Sequence, residues 1–331
     1  MAENNSTRDS ADAESVRDLQ SVRPLDGDNR SALVERNCPM CGTKTSPGDV
    51  KFRAPVRAEP LGEEERAAYW RGFRSRSCFF DFASCPACGL IFCPTYLSDP
   101  ALDRLYSSMP DNTAGASPEV LSRTQWSYIE FLAAQRPLRG TYLEIGPDIG
   151  LATEAARILG QLDRTVLIEP NLDVHGELKS AGGAVPTTVA PTLAALSEPA
   201  NADNVVLIHV LDHLVDPLQY LIDLKNQLAP DAYLLAVTHN YASILRHLLG
   251  VRWPPFCLQH PQLFTPETLS AVLSRAGFRT IATAPTKNVL PLDHMVKTAT
   301  SLVGLNGKWV EHVPHVTIRA RLGNIMVVAS A

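Results

Sequence analysis

Four of the seven cysteines form two matched pairs, CPMCG and CPACG, with the spacing of metal ligands: Cys38, Cys41, Cys85 and Cys88. A CxxC turn places two thiolates at one edge of a tetrahedron, and two such turns complete a four-thiolate shell for zinc. Disulfides or a redox CxxC are the alternatives, but two matched pairs in a chain that begins without a signal peptide favour zinc. Because a closed four-cysteine site keeps no position for water, we expect a structural metal. The other cysteines are expected to be small buried residues: Cys78, Cys93 and Cys257.

Three histidines are candidates for a general base, since the imidazole titrates near neutral pH: His213, His239 and His260. Each follows a predicted strand or lies in the loop after it, on the edge where open α/β sheets bind ligands. His260 lies in RWPPFCLQHPQLF, whose tryptophan and prolines suit a stiff wall over a pocket. A structural role in a loop, a turn or the cofactor shell is the alternative for all three. We expect His209 to be an ordinary strand histidine with its hydrogen bonds satisfied.

The turn LEIGPDIG, residues 143–150, has the look of a phosphate-binding loop, but its glycines, Gly146 and Gly150, give GxxxG rather than GxGxxG. Asp148 would repel a pyrophosphate at a helix N-terminus, which argues against NAD. Together with Glu144 it favours a ligand with a cationic group. Glu169, at the end of the next predicted strand, is placed to accept the two hydroxyls of a ribose. These features describe S-adenosylmethionine.

After residue 97, helical patterns alternate with short β-rich runs, as in a doubly wound α/β sheet. Helices are predicted over 123–135, 151–159, 172–180, 217–228 and 266–276, and seven strands over 141–146, 165–170, near 184, 204–210, 232–240, 279–283 and 324–330. The predicted organisation is a disordered tail (1–33), a zinc-binding domain (34–96), a helical linker (97–140) and an S-adenosylmethionine-binding domain (141–331).

The ordered series LEIGPDIG, IEP, HVLDHLVDP, LLAVTHN and QHPQLFTPETLSAVLSRAGF resembles the class I S-adenosylmethionine-dependent methyltransferases. It is most similar to the subgroup with an N-terminal zinc-binding domain that includes sugar C-methyltransferases of antibiotic pathways. The resemblance implies a Rossmann-like sheet of seven strands with the last antiparallel. It also implies that Gly146 and Gly150 line the methionine part of the cofactor, that Glu169 binds the ribose, and that Leu211 and Asp212 lie beside the cofactor.

Two departures from that subgroup bear on the acceptor. Asp148 replaces the middle glycine of the usual loop, and in the segment CLQH the positions of a tyrosine and a glutamate are occupied by Cys257 and Gln259, with only His260 retained. We therefore expect methylation, at O or C, of a small hydroxylated or sugar-like metabolite that differs from the subgroup's sugars.

The composition argues against nucleic acid and membranes as partners. The formal net charge is −5 and the basic residues are scattered, which argues against nucleic acid as a partner. Apolar runs such as VVLI and AYLLAV are too short to span a bilayer, and the polar N-terminus has no targeting pattern, so we expect a cytoplasmic protein. An RNA methyltransferase, a catalytically inactive adenosyl-binding module that recruits a protein, and an NAD dehydrogenase remain as alternative functions.

Overall fold

The computed structural model describes residues 32–70, 78–107, 118–293, 295–296, 300, 314 and 316–331. Nearly all of the predicted disordered tail, residues 1–31, lies outside the described residues, as does part of the predicted linker, residues 108–117. None of the helices in the described part of the chain has the length and apolarity needed to cross a bilayer.

The N-terminal segment is built from short strands and two helices: β1 (Leu33–Glu35), β2 (Val50–Phe52), β3 (Val56–Arg57), α1 (Glu63–Trp70), β4 (Cys78–Phe79), β5 (Phe82–Ser84), β6 (Ile91–Phe92), β7 (Thr95–Leu97) and α2 (Asp99–Ser107). β1 pairs with β7 and β3 with β4, while β2, β5 and β6 form consecutive antiparallel pairs. Elements this short bury little surface by themselves, so their position depends on what they pack against.

The remaining elements are α3 (Pro118–Ala133), β8 (Arg139–Ile145), α4 (Leu151–Leu159), β9 (Gln161–Ile168), α5 (His175–Ala181), β10 (Thr187–Ala190), β11 (Ala202–Ile208), α6 (Pro217–Leu224), β12 (Leu228–His239), α7 (Ile244–Leu249), β13 (Gln262–Leu263), α8 (Pro266–Arg275), β14 (Arg279–Pro285), β15 (Asn288–Pro291), β16 (Thr317–Ala320) and β17 (Asn324–Ser330). Most of them correspond to predicted elements, whereas α7, β13, β15 and β16 were not predicted.

The central sheet has seven strands in the order β10-β9-β8-β11-β12-β17-β14. The pairs from β10 to β12 are parallel, and β17 runs antiparallel to both β12 and β14. This arrangement confirms the predicted α/β fold with a Rossmann-like, seven-stranded sheet. The strand predicted near residue 184 forms slightly later, at Thr187–Ala190, and the predicted helix over 172–180 begins as a 3-10 turn at Leu172–Val174.

Successive residues of β11 pack into different cores, because side chains alternate across a strand. Val205 and Leu207 belong to the core on the side of α6 and α8, whereas Val206 belongs to the core on the side of α3 and α4. All three are fully buried. A strand covered on both faces is apolar throughout, which is why NVVLI reads as one hydrophobic run.

Helix starts follow the capping rules. Asp216 caps α6, its Oδ1 accepting a hydrogen bond of 2.9 Å from the backbone amide of Gln219, and proline occupies the first turn. Thr265 caps α8 in the same way, its Oγ1 accepting from the amide of Thr268 at 3.2 Å. Both predicted caps are confirmed. The caps fix where the loops after β11 and β13 end.

The N-terminal segment and the part of the chain that forms the central sheet also share a second sheet. β13 pairs antiparallel with β6, which gives a four-stranded sheet in the order β13-β6-β5-β2. Tyr96 donates its hydroxyl to the carbonyl oxygen of Leu258 at 2.7 Å, and Gln259 donates to the carbonyl oxygen of Trp70 at 2.8 Å. The segment that carries His260 is therefore held by residues of the predicted zinc-binding domain.

Candidate functional site

The four paired cysteines converge. Sulfur-to-sulfur distances are 3.5 Å for Cys38–Cys88, 3.5 Å for Cys41–Cys85 and 3.6 Å for Cys41–Cys88. A tetrahedral zinc–thiolate site, with bonds of about 2.3 Å, has edges of about 3.8 Å, close to these values. All of these cysteines are free of disulfide bonds. The sulfur positions therefore fit one tetrahedral metal ion.

Each cysteine pair closes on a glycine in the left-handed region. Gly42 has φ +72° and donates its amide to the Cys38 carbonyl oxygen at 2.8 Å, while Gly89 has φ +75° and donates to the Cys85 carbonyl oxygen at 2.9 Å. Glycine adopts this conformation without steric cost. Among the remaining cysteines, Cys78 and Cys93 are buried as expected, whereas Cys257 is only partly buried.

The turn after β8 forms with an aspartate in a glycine-like conformation. Gly146, Asp148 and Gly150 have φ values of +65°, +53° and +80°. Aspartate is one of the few residues other than glycine that visits this region readily. The amide of Gly146 donates to the Ile168 carbonyl oxygen at 2.9 Å, and that of Gly150 donates to the Pro147 carbonyl oxygen at 2.8 Å. The turn therefore forms with its hydrogen bonds although Asp148 replaces the middle glycine of the usual loop.

Gly150 also has a packing role that the sequence did not reveal. A Cβ at this position would lie 2.7 Å from Cβ of Ala181 and 3.2 Å from Cδ2 of Leu178, both on α5. At Gly146, a Cβ would lie 3.2 Å from Cγ2 of Val210. Gly150 thus permits the close approach of α4 and α5, besides any contact with a ligand.

Glu169 follows β9 and faces the turn. Its Oε2 accepts a hydrogen bond from the amide of Asp148 at 3.3 Å, and its Oε1 accepts one from the amide of Asn171 at 2.9 Å. Burial raises the pKa of Glu169, and these two amides oppose the rise. Its carbonyl oxygen lies 2.7 Å from Nε2 of His175. The carboxylate is therefore fixed at the carboxyl end of β9, where the sequence placed a ribose ligand.

Glu144 lies beneath the turn and is 2% exposed. Its Oε2 accepts hydrogen bonds from the hydroxyl of Tyr142 at 2.9 Å and from Oγ1 of Thr153 at 2.6 Å, which ties β8 to α4. Burial raises the pKa of Glu144 to about 7, and the nearby Asp148 and Glu169 add to the rise. The full negative charge expected of Glu144 near a cationic ligand is therefore weakened at neutral pH.

The three candidate histidines meet at the edge of the sheet. Nε2 of His213 lies 3.2 Å from Nε2 of His260, with the ring centroids 4.6 Å apart. The ring centroid of His239 is 5.0 Å from that of His260 and 6.2 Å from that of Trp253. His213 follows β11, His239 ends β12, and His260 precedes β13. Three separate segments thus bring these imidazoles together.

His260 has a defined tautomer. Its Nδ1 lies 2.7 Å from the carbonyl oxygen of Pro255, which can only accept, so Nδ1 carries a proton. Sγ of Cys257 lies 3.3 Å from the same nitrogen. Burial lowers the pKa of His260, but Cys257 and Asp212 raise it to about 9. Burial and the neighbouring His260 lower the pKa of His213 to about 3.

Asp212 lies among the imidazoles and is 0% exposed. Neither of its carboxylate oxygens accepts a hydrogen bond from any residue that the structure describes. Its Oδ2 lies 3.7 Å from Nδ1 of His209 and 3.8 Å from Nε2 of His239. Burial opposes ionisation, but the surrounding histidines, led by His209, hold the pKa of Asp212 well below its usual range. The carboxylate predicted to lie beside the cofactor thus points into the histidine cluster.

His209 is the member of this cluster that sequence reasoning missed. It was expected to be a satisfied strand histidine, but its buried Nδ1 has no hydrogen-bond partner among the residues that the structure describes, so that expectation is wrong. Its φ of +54° lies in the left-handed region, just beyond β11. The spacing in HVLDH, with two histidines around an aspartate, was the available signal. A histidine next to a buried carboxylate merited consideration as a site residue.

Residues of the N-terminal half and of β13 hold the loop after β11. Gln262, fully buried in β13, donates to the carbonyl oxygens of Leu211 and Leu214 at 2.7 and 2.6 Å. Arg36 donates to the carbonyl oxygen of Val215. The side chain of Leu211 is buried, and its carbonyl oxygen accepts the hydrogen bond from Gln262. The loop that carries Asp212 and His213 is thus fixed from the same side as His260.

A seven-stranded sheet with its last strand antiparallel, a glycine turn after β8 and a carboxylate at the end of β9 define a class, the S-adenosylmethionine-dependent methyltransferases. Residues 121–283 match the family model described as "Methyltransferase domain". Residues 121–283 of the chain are therefore a class I S-adenosylmethionine-dependent methyltransferase domain. Among curated proteins, none matches the sequence significantly.

Solved structures of similar fold include the following three methyltransferases. The N-methyltransferase NodS from Bradyrhizobium japonicum WM9, in complex with S-adenosyl-L-homocysteine, is 14% identical with a TM-score of 0.44, covering 70% of this chain and 96% of that one. A SAM-dependent methyltransferase from Aquifex aeolicus is 14% identical (TM-score 0.43; 65% and 93% covered). One from Mesorhizobium loti is 15% identical (TM-score 0.42; 63% and 98% covered). Likenesses at this level assign neither a substrate nor a residue of this chain.

Proposed function

We propose that the protein transfers the methyl group of S-adenosylmethionine to an oxygen or carbon of a small hydroxylated or sugar-like metabolite. The observation that carries this proposal is the histidine cluster at the carboxyl ends of β11 and β12, on the sheet edge shared with the turn after β8. Open α/β sheets bind their ligands at this edge. A cluster of buried imidazoles there suits an acceptor that must lose a proton.

For the cofactor, we propose contacts with the turn and with the loop after β11: Glu144, Gly146, Asp148, Gly150, Glu169, Leu211 and Asp212. The fixed carboxylate of Glu169 supports its role as the ribose ligand, since both of its oxygens are already oriented by backbone amides. The part proposed for Asp212 is indirect, because its carboxylate lies among imidazoles. It positions the loop beside the cofactor through the neighbouring Leu211.

For the chemistry, we propose His260 as the group that takes the acceptor's proton, with His213 and His239 beside it. Methyl transfer is an in-line displacement in which the acceptor atom attacks the methyl carbon and the bond from carbon to sulfur breaks. Because Nδ1 of His260 donates to Pro255, the proton that the imidazolium loses as the pH rises through its pKa of about 9 leaves from Nε2, and His260 acts as a base only in that neutral form. That nitrogen faces His213, on the side of the cluster away from Pro255.

For the N-terminal segment, we propose a structural zinc ion held by Cys38, Cys41, Cys85 and Cys88. The convergence of the four sulfurs supports this assignment. The ion would join the turn between β1 and β2 to the turn between β5 and β6, and β6 is the partner of β13. Zinc would thus act on catalysis only through the position of the segment that carries His260.

Calorimetric titration of the zinc-loaded protein with S-adenosylmethionine, S-adenosylhomocysteine and NADH, in parallel, tests the proposal first. We expect binding of the two adenosyl ligands and none of NADH. The second step is transfer of a labelled methyl group to fractions of a small-metabolite extract and, separately, to RNA. Label in RNA alone would contradict the proposed acceptor class, and binding without any transfer would contradict the proposed activity.

A further inference from the structure

The buried carboxylate of Asp212 requires a cation or hydrogen-bond donors beside it. It is 0% exposed, and both of its oxygens lack a hydrogen bond from any described residue. A buried carboxylate without hydrogen bonds costs several kcal/mol, so such groups in proteins are paired with cations or bind metals. His209 adds a third atom without a hydrogen-bond partner among the described residues, its buried Nδ1. The two orphaned groups face each other at 3.7 Å.

Three donor atoms face a common centre. Oδ2 of Asp212 lies 3.7 Å from Nδ1 of His209 and 3.8 Å from Nε2 of His239, and all three ligand atoms lie within 4.8 Å of one another. These separations are too long for hydrogen bonds. They are close to the spacing of ligand atoms around a first-row metal ion, about 3.0 to 3.5 Å for bonds of about 2.1 Å. An ion between the three atoms would pair both Oδ2 of Asp212 and Nδ1 of His209, two of the three atoms without a hydrogen-bond partner among the described residues.

Asn324 supplies the support that metal-binding histidines usually have. Its Oδ1 lies 2.9 Å from Nδ1 of His239, so that ring is protonated on Nδ1 and keeps the lone pair of Nε2 toward Asp212. Its Nδ2 lies 3.3 Å from Nε2 of His209. Because an amide nitrogen only donates, this contact leaves the His209 proton on Nδ1, and ligation through Nδ1 requires that the proton move to Nε2. A small rotation of the amide, bringing Oδ1 toward both rings, would then accompany binding.

We infer that His209, Asp212 and His239 bind a divalent first-row transition-metal ion, in a second metal site distinct from the four cysteines. Two imidazoles and one carboxylate suit Fe²⁺, Zn²⁺, Mn²⁺ or Co²⁺, and three protein ligands leave positions open for water or for an oxygen of the acceptor. This inference goes beyond the proposed function. It makes His239 a ligand and leaves His260 and His213 as the candidate bases.

Cobalt distinguishes the two metal sites in the full-length protein. With the cysteine site filled by zinc, added Co²⁺ should give weak visible d–d absorption without the strong near-ultraviolet thiolate band, because the new ligands are nitrogen and oxygen. Elemental analysis should give a second equivalent of metal. Asp212→Asn and His209→Gln should each lose the second equivalent and keep the zinc. His247→Ala, which removes an exposed histidine outside the cluster, should keep both.

A gain of affinity is the sharpest test. Asn324→Asp offers two carboxylate oxygens to the outer nitrogens of His209 and His239, and should tighten Co²⁺ binding on the order of tenfold. A purely structural hydrogen-bond role for Asn324 would not produce that gain. In every variant, the zinc content reports on folding, and the affinity for S-adenosylhomocysteine reports separately on the proposed function.

Two outcomes would overturn the site. One is a zinc-loaded wild-type protein that takes up no further Co²⁺, Zn²⁺, Mn²⁺ or, under anaerobic conditions, Fe²⁺. The other is Asp212→Asn protein that binds Co²⁺ as tightly as the wild type. Because binding of S-adenosylhomocysteine is measured on the same samples, either result overturns the metal site without deciding the methyltransferase proposal.

Discussion

The backbone amide of Asp148 donates a hydrogen bond to the carboxylate of Glu169 across 3.3 Å. The residue that stands in place of a glycine in the first turn is thereby joined to the residue proposed to bind the ribose. A single unit at the carboxyl ends of β8 and β9 results, in which the position of Glu169 depends on the left-handed conformation at Asp148. The aspartate that argued against a phosphate ligand is thus built into the proposed cofactor site.

Glu169→Ala should weaken binding of S-adenosylhomocysteine about 10-fold to 150-fold, because losing a charged hydrogen-bond partner costs about 1.5 to 3 kcal/mol. Calorimetric titration measures the change, and Glu177→Ala, at an exposed position of α5, is the matched control. Unchanged affinity in Glu169→Ala protein would remove Glu169 from the ribose site.

Gly150→Ala should destabilise the fold by about 1 to 3 kcal/mol, because the new methyl group would lie 2.7 Å from Cβ of Ala181 in a left-handed backbone. Gly176→Ala is the opposite control: its Cβ meets nothing within 4 Å, and in α5 it should be neutral or stabilise by up to about 1 kcal/mol. Urea unfolding compares the two. Equal stability of both variants would contradict the packing role of Gly150.

The sheet could be predicted from sequence because its strands are buried on both faces and its helices begin at strong caps. The runs around Val205 and Val327 are continuous apolar stretches, and Asp216 and Thr265 announce the helices that follow. The three candidate histidines, which the structure brings together, were singled out because each follows a predicted strand or lies in the loop after it. These signals are local, and each can be read within a dozen residues.

What could not be predicted depends on contacts between distant segments. Strand β13 has two residues, and it forms only because β6, far away in the sequence, offers an edge. His209 was dismissed because its orphaned Nδ1 depends on where Asp212 and His239 come to lie. The packing role of Gly150 requires the path of α5. Sequence patterns carry little information about such pairings.

Cys41→Ser should release the metal of the N-terminal segment and loosen the segment that carries His260. Zinc is lost because one of four thiolates is missing, and the turn between β1 and β2 is no longer joined to the turn between β5 and β6. A colorimetric zinc assay and amide hydrogen exchange over residues 258–263 measure the two effects. Cys78→Ala, at a buried cysteine outside the four-sulfur cluster, should retain zinc. Full zinc in the Cys41→Ser protein would refute the four-cysteine site.

Glu144 should make stability depend on pH in a direction opposite to that of most carboxylates. Its pKa in the folded protein is about 7, above the ordinary 4.5, so the folded state binds more protons between these values. Stability from this group is therefore present below pH 4.5 and lost as the pH rises through 7, by up to about 3 kcal/mol. Chemical unfolding of the wild type and of Glu144→Gln should show the slope in the wild type only. Parallel pH profiles would show that Glu144 titrates normally.

His260→Gln should lower the rate of methyl transfer by about 10² to 10⁴-fold while the affinity for S-adenosylhomocysteine stays within about twofold, because the base acts on the acceptor and not on the cofactor. Release of S-adenosylhomocysteine in the presence of the active extract fraction gives the rate, and calorimetry gives the affinity. His247→Gln, at an exposed histidine on α7, controls for the substitution itself and should react at the wild-type rate. Glutamine can still donate toward the Pro255 carbonyl oxygen, which helps to hold the loop in place while the proton acceptor is removed. If His260→Gln protein retains the wild-type rate, proton removal belongs to His213 or depends on Asp212, and the same assay on His213→Gln and Asp212→Asn separates those two.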